Sequence, residues 1–404
     1  MTNWTERCWN YFSNIDRLEA NLRNSRIVFL IVLASLVQWL HAKTVEEPVD
    51  STKIYRAKST HSIVQIQAAK LTQTNTPKNV IFFIGDGMGV HQVFAALTAN
   101  KGQLNLEYLK QLGFSKTQSA DHYVTDSAAS GTAMATGHKT KNLMVGMTPD
   151  SMPIPNLVEF AEKKGLATGI VVTSAINHAT PATFIAHHWN RFEKKEVTKD
   201  YQDIDFDVAI GGGLKYFNGN ENQPALLPFF KNHGYQIVTR MDQLAKVKSG
   251  KLLALLAEDA MPRAVDVPHY LETSVEVALN ILSQNKQGFF LMVEGSQIDW
   301  GGHDNETGYI IEETLALDRA LGRALKFAEK DGNTLILCTA DHETGGMVVV
   351  NGNIGMGEVY AKYVTESHTP VMVPSFSVGP GSESFTGIFP NTYIFETIKS
   401  LLNL

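Results

Sequence analysis

The sequence predicts an α/β fold, with a central, mostly parallel sheet flanked by helices on both faces. Three observations predict it. Short, continuously apolar runs recur from residue 80 onward, and amphipathic stretches of helical length lie between them. Runs that are apolar throughout suit strands buried on both faces. Segments rich in Asp, His and Gly stand directly after several of these runs, where the active groups of such sheets gather.

The strand candidates are Val80–Ile84, Ala167–Thr173, Phe206–Ile210, Gly288–Val293 and Asn333–Thr339. Helical patterns occupy Asn156–Lys164, Leu271–Asn285 and Ile310–Glu329. Alternation of strand and helix is the signature of parallel pairing. Residues 43–77 are polar and lack a strong period, so they read as an N-terminal arm. Residues 78–404 read as one catalytic domain, within which 192–263 is polar, irregular and a candidate insertion.

Residues 1–42 read as a signal peptide or N-terminal anchor. Arg23 and Arg26 precede the apolar run Ile27–Leu40, and Ala42 is a candidate cleavage position. The run is shorter than the ~20 residues that span a bilayer, and it suits a signal-peptide core. The expected location is therefore extracytoplasmic, periplasmic or secreted, with membrane anchoring if the leader is uncleaved.

The 404 residues are 44% hydrophobic and 19% charged, as in a folded globular protein. A net charge of −6 gives no support to a nucleic-acid role. Of the two cysteines, Cys8 precedes the leader's apolar run and Cys338 lies in a strand candidate. No disulfide framework is expected, so bound metals would have to supply extra stability.

Five segments carry chemistry. In Val124-Thr125-Asp126-Ser127-Ala128-Ala129-Ser130-Gly131-Thr132, a serine follows a carboxylate at the start of a helix. Free N–H groups there favour an anion, so Ser127 could face a phosphate; a plain N-cap is the structural alternative. Gly85-Asp86-Gly87-Met88-Gly89 lacks the third glycine of the dinucleotide loop, because Val90 stands in its place. Asp86 would repel phosphate unless a cation intervened, so it reads as a metal ligand. Glu294 follows a strand, and Asp299 and His303 are four apart, on one face of a helical turn. A carboxylate with an imidazole suits zinc. Asp341 and His342 leave another strand, and a buried Asp needs a cationic partner. His368 adds one more loop imidazole. His178-Ala179-Thr180-Pro181 opens a helix, where Thr180 is a good N-cap. Arg191 can grip a tetrahedral anion with two parallel hydrogen bonds.

Together these segments resemble the alkaline phosphatase family over roughly residues 77–404. The matching residues run in order from Asp86 through Asp126-Ser127, His178 and Thr180, Arg191, Glu294, Asp299 with His303, and Asp341-His342 to His368. The resemblance implies that family's three-layer sandwich. It implies hydrolysis of small-molecule phosphate monoesters through a covalent phosphoserine at Ser127, with broad specificity and inhibition by phosphate. Asp299, His303 and His368 correspond to the ligands of a first Zn2+. Asp86, Asp341 and His342 correspond to those of a second, with Ser127 as its fourth. Asp86, Thr180 and Glu294 correspond to a third, Mg2+-type site. Ser127, Arg191 and Trp300 face the substrate phosphate. A homodimer is also implied.

Two positions depart from many members of that family. Many have aspartate where this chain has His178, and some have lysine where it has Trp300. An uncharged imidazole is a softer ligand than a carboxylate, so the third site is expected to hold Mg2+ less tightly, or to accept Zn2+ or Co2+. Trp300 cannot supply a lysine's charge to the phosphate. The competing functions are a related metal-dependent phosphodiesterase and a non-catalytic metal- or phosphate-binding protein. Many diesterase relatives place threonine at the nucleophile, and the full set of ligands argues against a decayed site.

Overall fold

The computed structural model describes residues 49–58, 60–219 and 224–404. The leader assigned to residues 1–42 lies outside them. Among the described residues, no helix is long and apolar enough to cross a membrane.

Ten strands build the main sheet: β1 (Asn79–Gly85), β2 (Gln111–Lys116), β3 (Ala167–Ala175), β4 (Val208–Gly212), β5 (Gln236–Val238), β6 (Leu252–Leu255), β7 (Phe289–Gly295), β8 (Thr334–Thr339), β9 (Val373–Val378) and β10 (Gly387–Pro390). From edge to edge the order is β10-β2-β9-β8-β1-β7-β3-β4-β6-β5. Only β9 runs against its neighbours, pairing antiparallel with β2 and β8. Every residue of β1, β3 and β7 is buried, which is why their sequences are apolar without alternation. The pleat still sorts side chains by face. Ile81, Phe83, Leu291 and Val293 enter one core, whereas Val80, Phe82, Phe290 and Met292 enter the other. Helices α1 (Val90–Ala99), α4 (Tyr270–Leu282) and α6 (Thr307–Asp331) cover the first face. Helices α3 (Leu157–Lys163) and α7 (Thr392–Leu402) pack on the second. The three-layer α/β expectation is met.

Strand ends differ from the sequence reading by one or two residues in most cases. The segment read as a candidate insertion contributes β4, β5 and β6 to one end of the sheet, so its polar stretches are connections between short strands. Among its described residues the arm has few regular elements, and it borrows order from the body. Tyr55–Arg56 pairs with Glu358–Lys362. The Tyr55 hydroxyl and the Lys58 N–H both donate to Glu312. Farther along, Val64 N–H donates to the Asn105 side chain at 2.8 Å.

Asp318 on α6 is the polar centre of this attachment. It is buried and accepts from the N–H groups of Asn105 and Leu106, each at 2.9 Å. His61 Nε2 of the arm reaches the same carboxylate at 2.7 Å. Asp318→Ala would leave two buried N–H groups without acceptors. The expected cost is about 2–4 kcal/mol, read as a lower urea midpoint; an unchanged midpoint would contradict this role.

Candidate active site

Four adjacent strands, β8, β1, β7 and β3, deliver the site. Asp341 and His342 follow β8, Asp86 follows β1, Glu294 is the penultimate residue of β7, and His178 and Thr180 follow β3. Parallel register places these carboxyl ends at one edge of the sheet. Asp299 and His303 come from α5 (Gln297–His303), which begins just after β7. His368 arrives from the C-terminal side, because His368–Thr369 forms a two-residue ladder with Glu343–Thr344. The ladder brings the His368 and His342 rings into a stack, 3.5 Å between centroids.

Ser127 opens α2 (Ser127–Thr136), a helix whose residues are all buried. Asp126 caps it, accepting from Ala129 N–H at 2.9 Å. Gly131 lets α2 approach the turn Ala179–Ala182; a Cβ there would stand 2.9 Å from Thr183 Oγ1. Gly87, at φ +73°, makes the bend after β1 and donates its N–H to Asp341 Oδ1. The result places Ser127 Oγ 3.3 Å from His342 Nε2.

Donor atoms converge in two groups. In the first, Nε2 of His303 and of His368 lie 3.2 Å apart. Asp299 oxygens lie 3.4 Å and 3.5 Å from these nitrogens. In the second, His342 Nε2 lies 3.5 Å from Asp86 Oδ1, 3.2 Å from Asp341 Oδ2 and 3.3 Å from Ser127 Oγ. Ligands held about 2.0–2.1 Å from a tetrahedral cation stand roughly 3.3 Å from one another. The donor spacings of both groups therefore fit four-coordinate cations.

The imidazole protons agree with this reading. His303 Nδ1 faces the carbonyl of Glu366 at 2.6 Å, and His368 Nδ1 faces that of Thr125 at 2.8 Å. Carbonyls only accept, so each Nδ1 carries a proton and each Nε2 is the ring nitrogen turned toward the other donors. The Asp299 carboxylate raises His303 to about 9, so a proton held there occupies a place that a bound cation would take.

Several buried atoms of the site have no hydrogen-bond partner: both Asp86 oxygens, Asp341 Oδ2, Glu294 Oε1, Thr180 Oγ1 and His178 Nδ1. Buried polar atoms are normally satisfied, so their clustering marks a place for a cation. Protonation tells the same story. Burial, reinforced by the charge of Asp341, pushes Asp86 well above the carboxylate range. Burial raises Glu294 to about 8, against the hydrogen bond from Ser296. Asp341 rises to about 6 through burial and the nearby Asp299 charge. Burial also drives His178 down to about 3, with the Arg191 charge adding to it. Burial thus disfavours the charged form of each group, and a cation among them would favour the ionised carboxylates and the neutral imidazole.

Arg191 Nη1 lies 3.1 Å from Asp126 Oδ2, next to the helix that Ser127 opens. Trp300 meets the His178 ring edge-on, 5.9 Å between centroids. Thr344 is a component that sequence reading passed over. Its buried hydroxyl donates to Asp299 Oδ1 and lies 3.2 Å from His342 Nδ1, so it fixes one donor residue of each group. Ser296, donating to Glu294 at 2.6 Å, was also passed over. Neither has a motif of its own; their roles arise from the fold.

A family model for alkaline phosphatase matches residues 77–362. Alkaline phosphatase 4 of Bacillus subtilis is 38% identical over 291 residues, which are 67% of this chain and 62% of the relative. The chain thus spans less than two thirds of that relative's length. The alkaline phosphatase of Escherichia coli K12 is 31% identical over 408 residues, covering 81% of this chain and 86% of the relative. Among solved structures, the alkaline phosphatase of the Antarctic bacterium TAB5 is 39% identical with a TM-score of 0.78, covering 81% of this chain and 99% of that one. A histidine-to-aspartate mutant of the TAB5 protein, with Mg bound in the M3 site, is 38% identical with a TM-score of 0.76, covering 82% and 99%.

Protein stripped of divalent cations by a chelator is expected to melt at lower temperature and to recover on addition of Zn2+. At a concentration 100 times the Kd, one site contributes about 2.7 kcal/mol. Thermal midpoints with and without metal test this; indifference to both treatments would remove the cation sites.

Proposed function

This chain belongs to the alkaline phosphatase family, and on that premise we propose that it hydrolyses phosphate monoesters through a covalent phosphoserine at Ser127. The observation that carries the proposal is the position of Ser127 Oγ, at a helix N-terminus and 3.3 Å from an inward-facing imidazole nitrogen.

In this reading Asp299, His303 and His368 hold one Zn2+, and Asp86, Asp341, His342 and Ser127 hold a second. Asp86, Thr180 and Glu294 hold a third cation, with His178 beside it. When bound, these ions supply positive charge that lowers the pKa of hydroxyl and water oxygens and offsets the charge of the phosphate. Ser127 Oγ, as alkoxide, attacks phosphorus, and the ester oxygen leaves with its electron pair and is protonated to the alcohol. Water then attacks phosphoserine from the vacated side, releasing phosphate and restoring Ser127. Two in-line displacements retain configuration at phosphorus. Arg191 and the N–H groups opening α2 hold the phosphate's equatorial oxygens, where preorganised donors contribute most. Asp126 holds Arg191 in place through the 3.1 Å contact. Trp300 brings no charge to the phosphate, which leaves Arg191 as the guanidinium that grips it.

The proposal includes a homodimer and a location outside the cytoplasm. The second rests on the leader pattern of residues 1–42.

Ser127→Ala is expected to abolish labelling by radioactive substrate phosphate and to lower kcat by about 10³-fold or more. Labelling with near-native turnover would exclude Ser127 as nucleophile. His178→Asp is expected to shift the third site toward Mg2+, as a hard carboxylate replaces a softer imidazole. Magnesium titration of activity should then saturate about tenfold lower or better than in the wild type. An unchanged titration would remove His178 from that site.

A further inference from the structure

Asn177 stands just after β3, one residue before His178, and its side chain is buried. Its Nδ2 donates to the Lys194 carbonyl at 3.1 Å and to Thr198 Oγ1 at 2.7 Å. Thr198 gives its own hydroxyl proton to the same Lys194 carbonyl, at 2.5 Å. The Thr198 oxygen therefore meets Asn177 as an acceptor. With acceptors on both sides, the atom between them is fixed as the amide nitrogen. Asn177 Oδ1 is buried and has no hydrogen-bond partner. Burying an unpaired carbonyl oxygen is unfavourable, and an apolar side chain of similar size would avoid it. What the amide contributes is the pair of donated bonds.

Those bonds join two parts of the site. On one side, backbone bonds close the turn that holds His178 and Thr180. His178 N–H donates to Ala175 O at 2.8 Å, and the His178 carbonyl accepts from Ala182 N–H at 3.0 Å. On the other side, Lys194 opens the helix Lys194–Lys199, shortly after Arg191. Glu193 N–H donates to Asn190 O at 3.1 Å, and the Glu193 carbonyl accepts from Val197 N–H at 3.0 Å. Hydrogen bonds thus continue from the Arg191 turn into that helix. Asp126 and the Leu143 carbonyl hold the opposite flank of Arg191. The Tyr201 hydroxyl, donating to the Ile176 carbonyl, docks the two segments independently of the Asn177 amide.

We propose that Asn177 is a positioning residue that, through Thr198 and Lys194, couples the turn of the third cation site to the phosphate grip of Arg191. The inference rests on the phosphomonoesterase reading above and on its placing of Thr180 and His178 at that site. A cation held by the turn fixes the backbone that carries Asn177. The amide then fixes the start of the Lys194–Lys199 helix and, with it, the segment of Arg191. A guanidinium pre-organised in this way loses less freedom when phosphate binds. Cation and phosphate therefore favour each other's binding, and the effect is reciprocal.

The test measures the Kd of inorganic phosphate by titration calorimetry, on protein given two equivalents of Zn2+, without and with saturating Mg2+. The ratio of the two constants reports the coupling, and for wild type it is expected to be about fivefold or more. Asn177→Ala removes both donated bonds, and Thr198→Val keeps the shape of the side chain but removes the acceptor. In each the ratio is expected to fall by about threefold or more. Thr198→Ser retains the hydroxyl and is expected to keep the wild-type ratio within about twofold. Loss of packing alone lowers the thermal midpoint and leaves the ratio in place, so the ratio separates positioning from a structural role. If Asn177→Ala does not fold, the two Thr198 variants decide. A wild-type ratio near one, a wild-type ratio retained in Thr198→Val, or an equal loss in Thr198→Ser overturns the coupling alone. Zinc-loaded wild-type protein that neither binds phosphate nor hydrolyses phenyl phosphate overturns the phosphomonoesterase reading and the coupling with it.

Discussion

Asp86, Glu294, Asp299 and Asp341 meet in one buried region at the carboxyl edge of the sheet. Two like charges about 4 Å apart repel by about 4 kcal/mol at an effective dielectric near 20. Domains are stable by only about 5–15 kcal/mol, so a few such pairs weigh heavily on the fold. Arg191 brings one positive charge nearby, and Asp126 already engages it. The neighbouring histidines hold the Asp299 carboxyl well below the usual range; for Asp86, Glu294 and Asp341 the remaining means of relief are protonation, which their raised pKa values express, or bound cations. Cation binding relieves the repulsion and leaves the same groups ionised for chemistry. Metal loading and the stability of this edge of the sheet are thus coupled through one electrostatic term.

That term acts only if the ligands cannot move apart, and the structure resists this at several points. Gly87 N–H and His342 N–H both bond Asp341 Oδ1, which leaves Oδ2 to face inward. Glu343 accepts from Gln92, Met347 and Thr369, so the ladder carrying His368 is pinned to α1 and to the turn after β8. Thr344 then links Asp299 to His342. A ligand that drifted would break a bond buried away from water, and such losses cost about 1–3 kcal/mol each. Rigidity here comes from polar bonds; the apolar cores on both faces of the sheet hold the strands that carry them.

What could be read from the sequence follows from where each residue gets its meaning. Strands β1, β3 and β7 were legible because burial on both faces forces an unbroken apolar run. Strands β2 and β10 are edge or near-edge strands with polar and glycine positions, and their sequences resemble loops. The position of Asp86 was legible because an aspartate in a glycine turn makes no sense for phosphate, and that of Asp299 and His303 because a four-residue spacing is local. Thr344 and Glu343 were not. Their contacts depend on pairing with His368 and Thr369, more than 20 residues on, through a ladder too short to leave a pattern. The candidate insertion illustrates the same limit: its five-residue strand β4 was legible as an apolar run, but the three- and four-residue strands β5 and β6 cannot be told from connections by periodicity.

Asp126 joins the helix that carries Ser127 to the guanidinium of Arg191. One of its oxygens caps α2 through Ala129 N–H; the other takes both Leu143 N–H and Arg191 Nη1. The helix that presents Ser127 and the guanidinium that would hold phosphate therefore share a single anchor. Their relative position is set over two or three bonds, not across the domain, which is the precision that in-line displacement requires. The same anchor accepts from Leu143 N–H, and Leu143 in turn accepts from Arg191 N–H, so the loop that carries the guanidinium is tied to the cap of α2 a second time. Loss of the Asp126 carboxylate would therefore disturb the start of α2 and the guanidinium together.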